Sequence, residues 1–438
     1  MTAELKRAYQ LKERFNNISL SGFEGVLVGD VLFFPINDLI SNNIGETSVR
    51  NILKCLKWCF KIIYKMSFAF VEFRHYNSSN TLFVFSSSYA DRTDHKKAFE
   101  KVIGLFPESS CAIAQTKPRK LLPQKLGYIR MVGEWEKSIK ESFICKCYLE
   151  RLFILKELVD VFSDYLEAKM FFAGNLMNFK NLVTWCDVHP VDSYFTQMFN
   201  INERNTVDLM HGSIGSGEKW TVKGIKSKYF IADSKYTEDV LIRSGYDGVV
   251  YVCGFPYEIG DSINNEHLEC NKKQEVLESR KIGVLLGAKG FHSENIELCN
   301  ILRQLNGFHL FVKLHPTETK DMYPSECMEA FEGLYEDEID SSQFMDEVSC
   351  LITMPSTVVF LALRREKPFL LIKDKQGHYL DFGLKEPILT DSTDIENRIQ
   401  DLLSNRFSEF ISSLREYYVA AGNVSDNYVN AFRSLGVN

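Results

Sequence analysis

The sequence predicts an α/β protein made of two doubly wound domains, and three observations support this. The chain has 438 residues, more than one hydrophobic core usually organises. Unbroken apolar runs alternate with helical periods, a pattern typical of strands buried on both faces of a parallel sheet. A polar stretch at 257–280 interrupts this rhythm, which then restarts. We therefore expect two parallel sheets that face each other across a cleft.

The first domain is predicted to span 1–256. Its predicted strands are Gly25–Val28, Thr81–Phe85, Met170–Ala173, Leu182–Trp185, Thr206–Met210, Tyr229–Ala232 and Val249–Cys253. Helical periods lie between several of them, at Arg50–Lys65, Leu149–Glu167, Pro190–Phe199 and Thr237–Ser244.

The second domain is predicted to span 281–410, after a linker at 257–280. Its predicted strands are Lys281–Leu286, His309–Leu314, Cys350–Met354 and Pro368–Ile372. Its predicted helices include Ser293–Leu305, Ser341–Val348 and Ser356–Arg364. The amphipathic stretch Ile395–Ser434 begins in this domain, and we expect its last part, 411–438, to be a helical segment that can cross back to the first domain.

Composition narrows the class of protein. The formal net charge of −7 argues against a nucleic-acid binder, which needs clustered Lys and Arg. Eleven scattered cysteines without paired C-x-x-C elements predict reduced thiols and no structural zinc. No signal peptide is recognisable, and the longest apolar stretch, Cys55–Phe73, contains Lys57, Lys61 and Lys65. We expect a cytoplasmic protein.

One candidate site follows the predicted strand Thr206–Met210. His211 is succeeded by Gly212 and Gly215, which allow a tight loop with exposed N–H groups. An imidazole with an unperturbed pKa of about 6.5 at a strand end is a good general base. The alternative is a hydrogen-bonded loop histidine beside a turn.

Two further candidates follow strands of the second half. Lys313 and His315 point to the same side of one strand, and Pro316 ends it, so two donors could meet a phosphate or a sugar carboxylate. Ser356 and Thr357 stand before a helix, where hydroxyls and free N–H groups can bind an anion. An edge-strand lysine with a capping histidine, and simple N-capping, are the alternatives. Lys289 follows another strand and could contact a phosphate or remain in an exposed loop.

Taken together, these positions suit an enzyme that divides its work between two domains. Anion-binding groups lie in successive units of the second half and a base candidate lies in the first. Lys, His and hydroxyl groups can stabilise a departing phosphate electrostatically. The chain lacks a strict D-x-D, the carboxylate pair expected where Mg²⁺ or Mn²⁺ bridges phosphates, so no metal or other cofactor is expected.

The order of several motifs resembles that in the GT-B glycosyltransferases of bacterial surface polysaccharide (capsule and lipopolysaccharide) synthesis. That group includes the CDP-glycerol glycerophosphotransferases and the bacterial polysialyltransferases. The motifs are the HG loop, SKYTEDVLIRSGY, VCGFP, KLHP, PSTVVFLAL and KPFLLI, with FEGVLVGDVLFF similar to the family's opening strand and loop. The likeness covers roughly Phe23–Asp30 and Val183–Ile372. It implies a GT-B fold with two Rossmann-like domains, the first on the acceptor side and the second binding the nucleotide-sugar.

The resemblance also implies roles for individual residues. By position, His211 matches the acceptor-side histidine, and Glu24 and Asp30 are rival candidates for the base. Lys313 and His315 match the donor-phosphate HP motif. Ser356 and Thr357 match the Ser/Thr phosphate motif. Two departures are the lack of an acidic D/E-D/E-G motif and the Met210 that stands before His211-Gly212 instead of an aromatic residue.

The activity implied is a metal-independent, inverting transfer of a sugar from a nucleotide-sugar donor to a glycan or lipid-linked glycan acceptor. Three alternatives stay open: a CDP-alditol phosphotransferase of the glycerol phosphate type, a non-hydrolysing nucleotide-sugar 2-epimerase, and a non-catalytic GT-B binding module. Peripheral association with the inner face of the membrane is compatible with any of the enzymes.

Overall fold

The computed structural model shows two parallel-sheet domains. It describes residues 3–41, 49–67, 71–75, 78–86, 92–106, 109–114, 128–142, 144–145, 147–209, 214, 219–260, 280–305, 307–316, 318–336, 339, 341–373, 382–385 and 387–437. His211, Gly212 and Gly215 lie outside these described residues, as does most of the predicted linker.

The strands of the described residues form two sheets, and the first of these has seven strands in the order β1-β3-β2-β4-β5-β6-β7. They are β1 (Val71–Arg74), β2 (Thr81–Phe85), β3 (Ser110–Ala114), β4 (Asn181–Thr184), β5 (Asn205–Leu209), β6 (Tyr229–Ala232) and β7 (Val249–Val252). Only the pairing of β1 with β3 is antiparallel, so β1 is an antiparallel edge on a parallel sheet. The central strands β2 and β4 are buried along their whole length, which explains their unbroken apolar runs.

Helices cover both faces of this sheet. They are α1 (Ala3–Asn16), α2 (Val28–Val31), α3 (Phe33–Ser41), α4 (Val49–Ser67), α5 (Thr93–Gly104), α6 (Ile129–Glu141), α7 (Tyr148–Phe171), α8 (Pro190–Ile201), α9 (Lys219–Gly224) and α10 (Lys235–Arg243). On one face, Trp135 of α6 and Phe162 of α7 form an edge-to-face pair with ring centroids 5.6 Å apart. Such pairs add to the stabilisation that comes from burying the rings.

The second sheet has six strands, all parallel, in the order β10-β9-β8-β11-β12-β13. They are β8 (Lys281–Leu285), β9 (His309–Lys313), β10 (Gly333–Tyr335), β11 (Cys350–Thr353), β12 (Phe369–Ile372) and β13 (Leu389–Thr390). Their helices are α11 (His292–Leu302), α12 (Ser325–Met328), α13 (Ser341–Asp346), α14 (Val358–Arg364), α15 (Ile395–Leu402), α16 (Asn405–Tyr418) and α17 (Val424–Ser434).

The last helix, α17, packs on the first sheet. The ring of Phe432 stacks on Phe83 of β2 with centroids 6.1 Å apart. The hydroxyl of Tyr428 donates to the carbonyl of Gly254, which follows β7. A second link between the two domains is the ion pair of Arg364 with the buried Glu258, 3.3 Å apart.

Two predicted strands are wrong. Gly25–Val28 forms turns, with Gly25 at a φ of +76°, and the chain enters α2 at Val28. A Cβ on Gly29 would lie 1.9 Å from the carbonyl oxygen of Lys12, so α2 is packed directly on the backbone of α1. Met170 and Phe171 are the last two residues of α7, and the chain leaves the helix at Phe172 and Ala173. This apolar run therefore belongs to the end of a helix and not to a strand.

Candidate functional site

The candidate residues of the second domain stand at the carboxyl edge of its sheet, where parallel α/β sheets bind ligands. Lys313 is the last residue of β9 and His315 follows two positions later. Ser356 and Thr357 fill the turn between β11 and α14. Because β9 and β11 both flank β8, these side chains belong to one edge of one sheet.

Lys313 is almost fully buried, at 6% exposure. Its Nζ donates a hydrogen bond of 2.6 Å to the carbonyl oxygen of Glu336, which follows β10. The ammonium group is therefore held at the sheet edge, and its long side chain loses little further freedom when an anion arrives.

His315 is half-buried, and its pKa is lowered by burial first and by the guanidinium of Arg92 second. Asp94 and Glu318 act in the opposite direction. A lowered pKa keeps the imidazole neutral at neutral pH, with one N–H to donate and one nitrogen to accept. The guanidinium that contributes to the lowered pKa of His315 belongs to the first domain.

The hydroxyl groups before α14 are half-buried. Ser356 Oγ accepts a hydrogen bond of 3.4 Å from the backbone N–H of Val358, whereas the side chain of Thr357 makes no cap bond. Helix α14 has only seven residues, so we do not base an anion site on its dipole. The two hydroxyl groups are the stronger candidates for binding an anion. Lys289 begins a 3-10 turn after β8, and its side chain lies outside the described residues.

A hydrogen-bond network that sequence reasoning missed fixes the loops after β8 and β9. Buried Asn295 donates to the carbonyl of Gly287 and accepts from its N–H, each at 2.9 Å. Asn295 also donates to the hydroxyl of Tyr323, which donates in turn to Glu318 at 2.5 Å. His292 Nδ1 lies 2.9 Å from the same Glu318 oxygen. The loop that carries His315 is thus tied to the loop that carries Lys289.

Glu24 and Asp30 have different surroundings. Glu24 is exposed in a turn and accepts a hydrogen bond from the N–H of Gly22 at 2.9 Å. Asp30 is buried in α2, with one carboxylate oxygen 2.6 Å from Lys12 Nζ and the other 3.0 Å from Lys226 Nζ. Both oxygens of Asp30 already contact ammonium groups, an arrangement that favours a structural link over proton transfer.

A further cluster lies at the carboxyl edge of the first sheet. Arg92 stands before α5 and forms two hydrogen bonds with Asp94, of 2.7 and 3.0 Å. The indole Nε1 of Trp185, the residue after β4, donates to Nδ1 of His95 at 3.1 Å, and Nε2 of His95 lies 2.7 Å from Arg92 Nη2. Tyr257, from the turn after β7, packs edge-on against Trp185. The signal in the sequence was Arg92 and His95 within ten residues of the end of the predicted strand Thr81–Phe85.

Both ring nitrogens of His95 face groups that can only donate. The indole N–H of Trp185 points at Nδ1 and the guanidinium of Arg92 lies at Nε2, so a neutral ring can accept from one of them at a time. Burial and the charge of Arg92 lower the pKa of His95 to about 4. A guanidinium and a neutral imidazole therefore stand side by side, and an anionic group is a partner that the guanidinium could bind.

Three buried carboxyl groups lie below this edge. Asp187 accepts hydrogen bonds from the N–H groups of Lys226 and Ser227, and its own N–H donates to Asp208. Burial raises the pKa of Asp187 to about 6, and it raises those of Asp192 and Asp208 well above their usual range. Within the described residues, no group of three or more His, Cys, Asp or Glu side chains is arranged to hold a metal ion.

Comparison with solved structures assigns the fold. A UDP-glucosyltransferase from Polygonum tinctorium, in complex with 3,4-dichloroaniline, matches with a TM-score of 0.50 at 10% identity, over 82% of this chain and 99% of the other. Alr3699/HepE from Anabaena, with UDP and glucose, matches at 0.46 and 11% identity, over 81% and 99% of the two chains. MnaA from S. aureus, with UDP, matches at 0.45 and 12% identity, over 82% and 97%.

At these identities the likeness concerns architecture. Two parallel-sheet domains in this order make the chain a protein of GT-B fold, as the sequence predicted. No protein-family model matches the sequence, and no curated protein is significantly similar to it. No helix in the described part of the chain is long and apolar enough to cross a membrane.

Proposed function

We propose that this chain is a metal-independent, inverting glycosyltransferase that uses a nucleotide-sugar donor. The observation that carries the proposal is that both sheets have groups suited to an anion at their carboxyl edges, Lys313 and His315 on one and Arg92 beside His95 on the other. Charge-assisted hydrogen bonds are the strong kind, and a phosphate offers acceptors to several donors at once. The likeness of the fold to a UDP-glucosyltransferase is compatible with this chemistry.

In the reaction we propose, a base removes the proton of an acceptor hydroxyl as its oxygen attacks the anomeric carbon. The bond between that carbon and the phosphate oxygen breaks, and the departing nucleotide takes both electrons. Lys313, His315, Ser356 and Thr357, together with Arg92, would stabilise the negative charge that develops on the phosphate. A single displacement inverts the configuration at the anomeric carbon.

His211 is our first choice for the base, with Glu24 and Asp30 as rivals. We rank Asp30 last among the three candidate bases, because both of its carboxylate oxygens already contact lysine ammonium groups. Gly212 and Gly215 would shape the loop around His211, and Lys289 would add a positive charge near the phosphate. The proposed acceptor domain spans 1–256 and the proposed donor domain spans 281–410. The helical segment 411–438 crosses back to the acceptor domain.

The acceptor we propose is a glycan or lipid-linked glycan of a bacterial surface polysaccharide. The site of action would be the cytoplasm, with peripheral association at the inner face of the membrane. The support is the motif order given above, from the HG loop to KPFLLI.

A donor panel tests the proposal. CMP, CDP, UDP and GDP sugars are screened by thermal shift, since a ligand at 100 times its dissociation constant stabilises a fold by about 2.7 kcal/mol. Release of nucleotide from the best donor, with an acceptor that gains the mass of one sugar, is the expected result. Gain of an alditol phosphate would indicate the phosphotransferase, an isomerised donor the epimerase, and binding without release a non-catalytic module.

A further inference from the structure

Helix α4 is anchored in the first domain by one face only. Trp58 packs on Phe153 of α7 with ring centroids 5.3 Å apart, and Ile62 lies against the same core. One turn further on, the buried Lys65 forms a hydrogen-bonded ion pair of 2.8 Å with Asp164. These contacts fix the orientation of the helix and therefore define which face points outward.

The outward face of α4 is apolar. Leu53, Leu56, Phe60 and Ile63 are 62%, 64%, 71% and 65% exposed. At about 100° per residue, they fall within a sector of roughly 80° on the helix. Single exposed apolar residues are ordinary, but four large ones in a continuous stripe mark a surface that meets something apolar.

The charges of α4 have one sign. The helix carries Arg50, Lys54, Lys57, Lys61 and Lys65 and no acidic residue. By the same helical geometry Lys57, Lys61 and Lys54 follow one another along one side of the apolar stripe. The charge of Lys61 is partly compensated by Asp160, whose carboxylate lies 3.4 Å from Lys61 Nζ. Lys57 is exposed. In a chain with a net charge of −7, this is a local concentration of positive charge.

We infer that the outer face of α4 docks on an anionic phospholipid surface. An apolar stripe with a cationic flank is the pattern of helices that lie in the membrane interface, with the apolar side chains among the acyl chains and the lysines at the headgroups. Charge complementarity selects this occupant, because a second copy would bring the same cations against each other. The inference gives the proposed membrane association a surface, and it can be tested without any donor or acceptor.

Vesicle sedimentation tests this docking. The full chain is mixed with vesicles of phosphatidylcholine containing phosphatidylglycerol and with vesicles of phosphatidylcholine alone. We expect binding to the anionic vesicles that weakens strongly as salt is raised, and much weaker binding to the neutral ones. Equal binding to both kinds of vesicle, or none to the anionic ones, would overturn the inference.

Variants locate the surface. Leu56→Ser with Phe60→Ser should reduce partitioning at least tenfold, and Lys57→Gln should reduce it about fivefold, the loss typical of one cation near an anionic surface. The matched controls are Ile242→Ser, a 57% exposed residue on α10, and Lys137→Gln, an exposed lysine on α6, and both should bind as the parent chain does.

Three readouts separate this inference from its rivals. Unchanged melting temperatures would show that the variants fold. Sedimentation velocity without lipid tests the second-copy alternative, and a parent dimer that the Leu56 and Phe60 changes dissociate would contradict lipid docking. Nucleotide binding without vesicles reports on the proposed function alone, so either proposal can fail while the other stands.

Discussion

The indole Nε1 of Trp185 donates a hydrogen bond to Nδ1 of His95 at 3.1 Å, and the guanidinium of Arg92 lies 2.7 Å from Nε2 of the same ring. Trp185 follows β4 and His95 lies in the first turn of α5, so the bond joins two loops at the carboxyl edge of one sheet. The guanidinium of Arg92, held beside this ring, gives that edge a charged donor group that would suit an anion.

The first prediction concerns Arg92. Arg92→Ala should weaken nucleotide binding about 10- to 100-fold, because hydrogen bonds to charged groups contribute roughly 1.5–3 kcal/mol. Arg92→Lys should recover part of this loss, since it keeps the charge but not the planar fork. Isothermal titration calorimetry measures both, with Arg243→Ala, an exposed arginine on α10, as control. An unchanged affinity in Arg92→Ala would remove this residue from the site.

The donor side of the site gives a second prediction. His315→Ala, and separately Ser356→Ala with Thr357→Ala, should weaken donor binding about tenfold while the melting temperature stays close to that of the parent chain. The half-burial of these side chains limits the structural cost of truncation. Calorimetric titration with the preferred nucleotide decides the matter, and equal affinities in all three proteins would contradict the assignment.

The central strands and the fold class could be predicted because parallel strands buried on both faces read as unbroken apolar runs. Several strands at or next to a sheet edge could not, although the edge strand β7 was predicted. Val71–Arg74 contains a glutamate and an arginine, Ser110–Ala114 is built from small residues except for one isoleucine, and Leu389–Thr390 is only two residues long. Such segments become strands through their neighbours rather than through their own pattern.

The candidate site shows the same limit. Lys313, His315 and Ser356 could be found because each lies next to a predicted strand end along the chain. Arg92, His95, Trp185 and Tyr257 come from three separate segments. The pairing of β2 with β4 brings Trp185 beside the first two, and the turn after β7 brings Tyr257 against Trp185. The turns around Gly25 were mistaken for a strand because local apolar character does not reveal packing on α1.

A third prediction concerns pH. His189 precedes α8 and stacks on Phe34 with ring centroids 4.9 Å apart, and burial lowers its pKa to about 4. In the unfolded chain the same ring has a pKa of about 6.5. Between these two pKa values the unfolded state therefore binds more protons than the folded state. The stability that His189 contributes above a pH of about 6.5 is lost as the pH falls towards 4.

His189→Asn should remove this dependence, since Asn does not titrate and is a good N-cap. Urea unfolding at pH 7 and pH 4.5 measures the change in free energy, which should fall by roughly 1–3 kcal/mol more in the parent chain than in the variant. The raised pKa of Asp187 acts with the opposite sign, with stability lost as the pH rises towards 6, but it is common to both proteins and cancels. Identical pH dependence in the two proteins would contradict a half-buried His189 that stays neutral in the folded state.

Metal removal gives a fourth prediction. Turnover should survive EDTA, because Lys313, His315 and Arg92 supply the positive charge and hydrogen bonds that a divalent ion would otherwise bring to the phosphate. Complete loss of turnover that Mg²⁺ or Mn²⁺ restores would overturn the proposed leaving-group site. Partial stimulation by a divalent ion would not, since ions can also assist release of the product.

The last prediction concerns the base. A general base contributes roughly 10²–10⁴-fold to the rate of an enzyme. His211→Ala should therefore reduce turnover by that factor and leave donor affinity nearly unchanged, because the residue is assigned to the acceptor side. His211→Asn should be almost as slow, since an amide keeps some hydrogen bonding but does not accept the proton. If the histidine only stabilises its loop, replacing it would instead lower the melting temperature and reduce binding and turnover in parallel.

If His211→Asn retains most of its activity, another group is the base. Glu24→Gln and Asp30→Asn then distinguish the rivals, and because Asp30 forms two buried ion pairs, its variant should first lose stability, whereas a change at the exposed Glu24 should leave the fold intact.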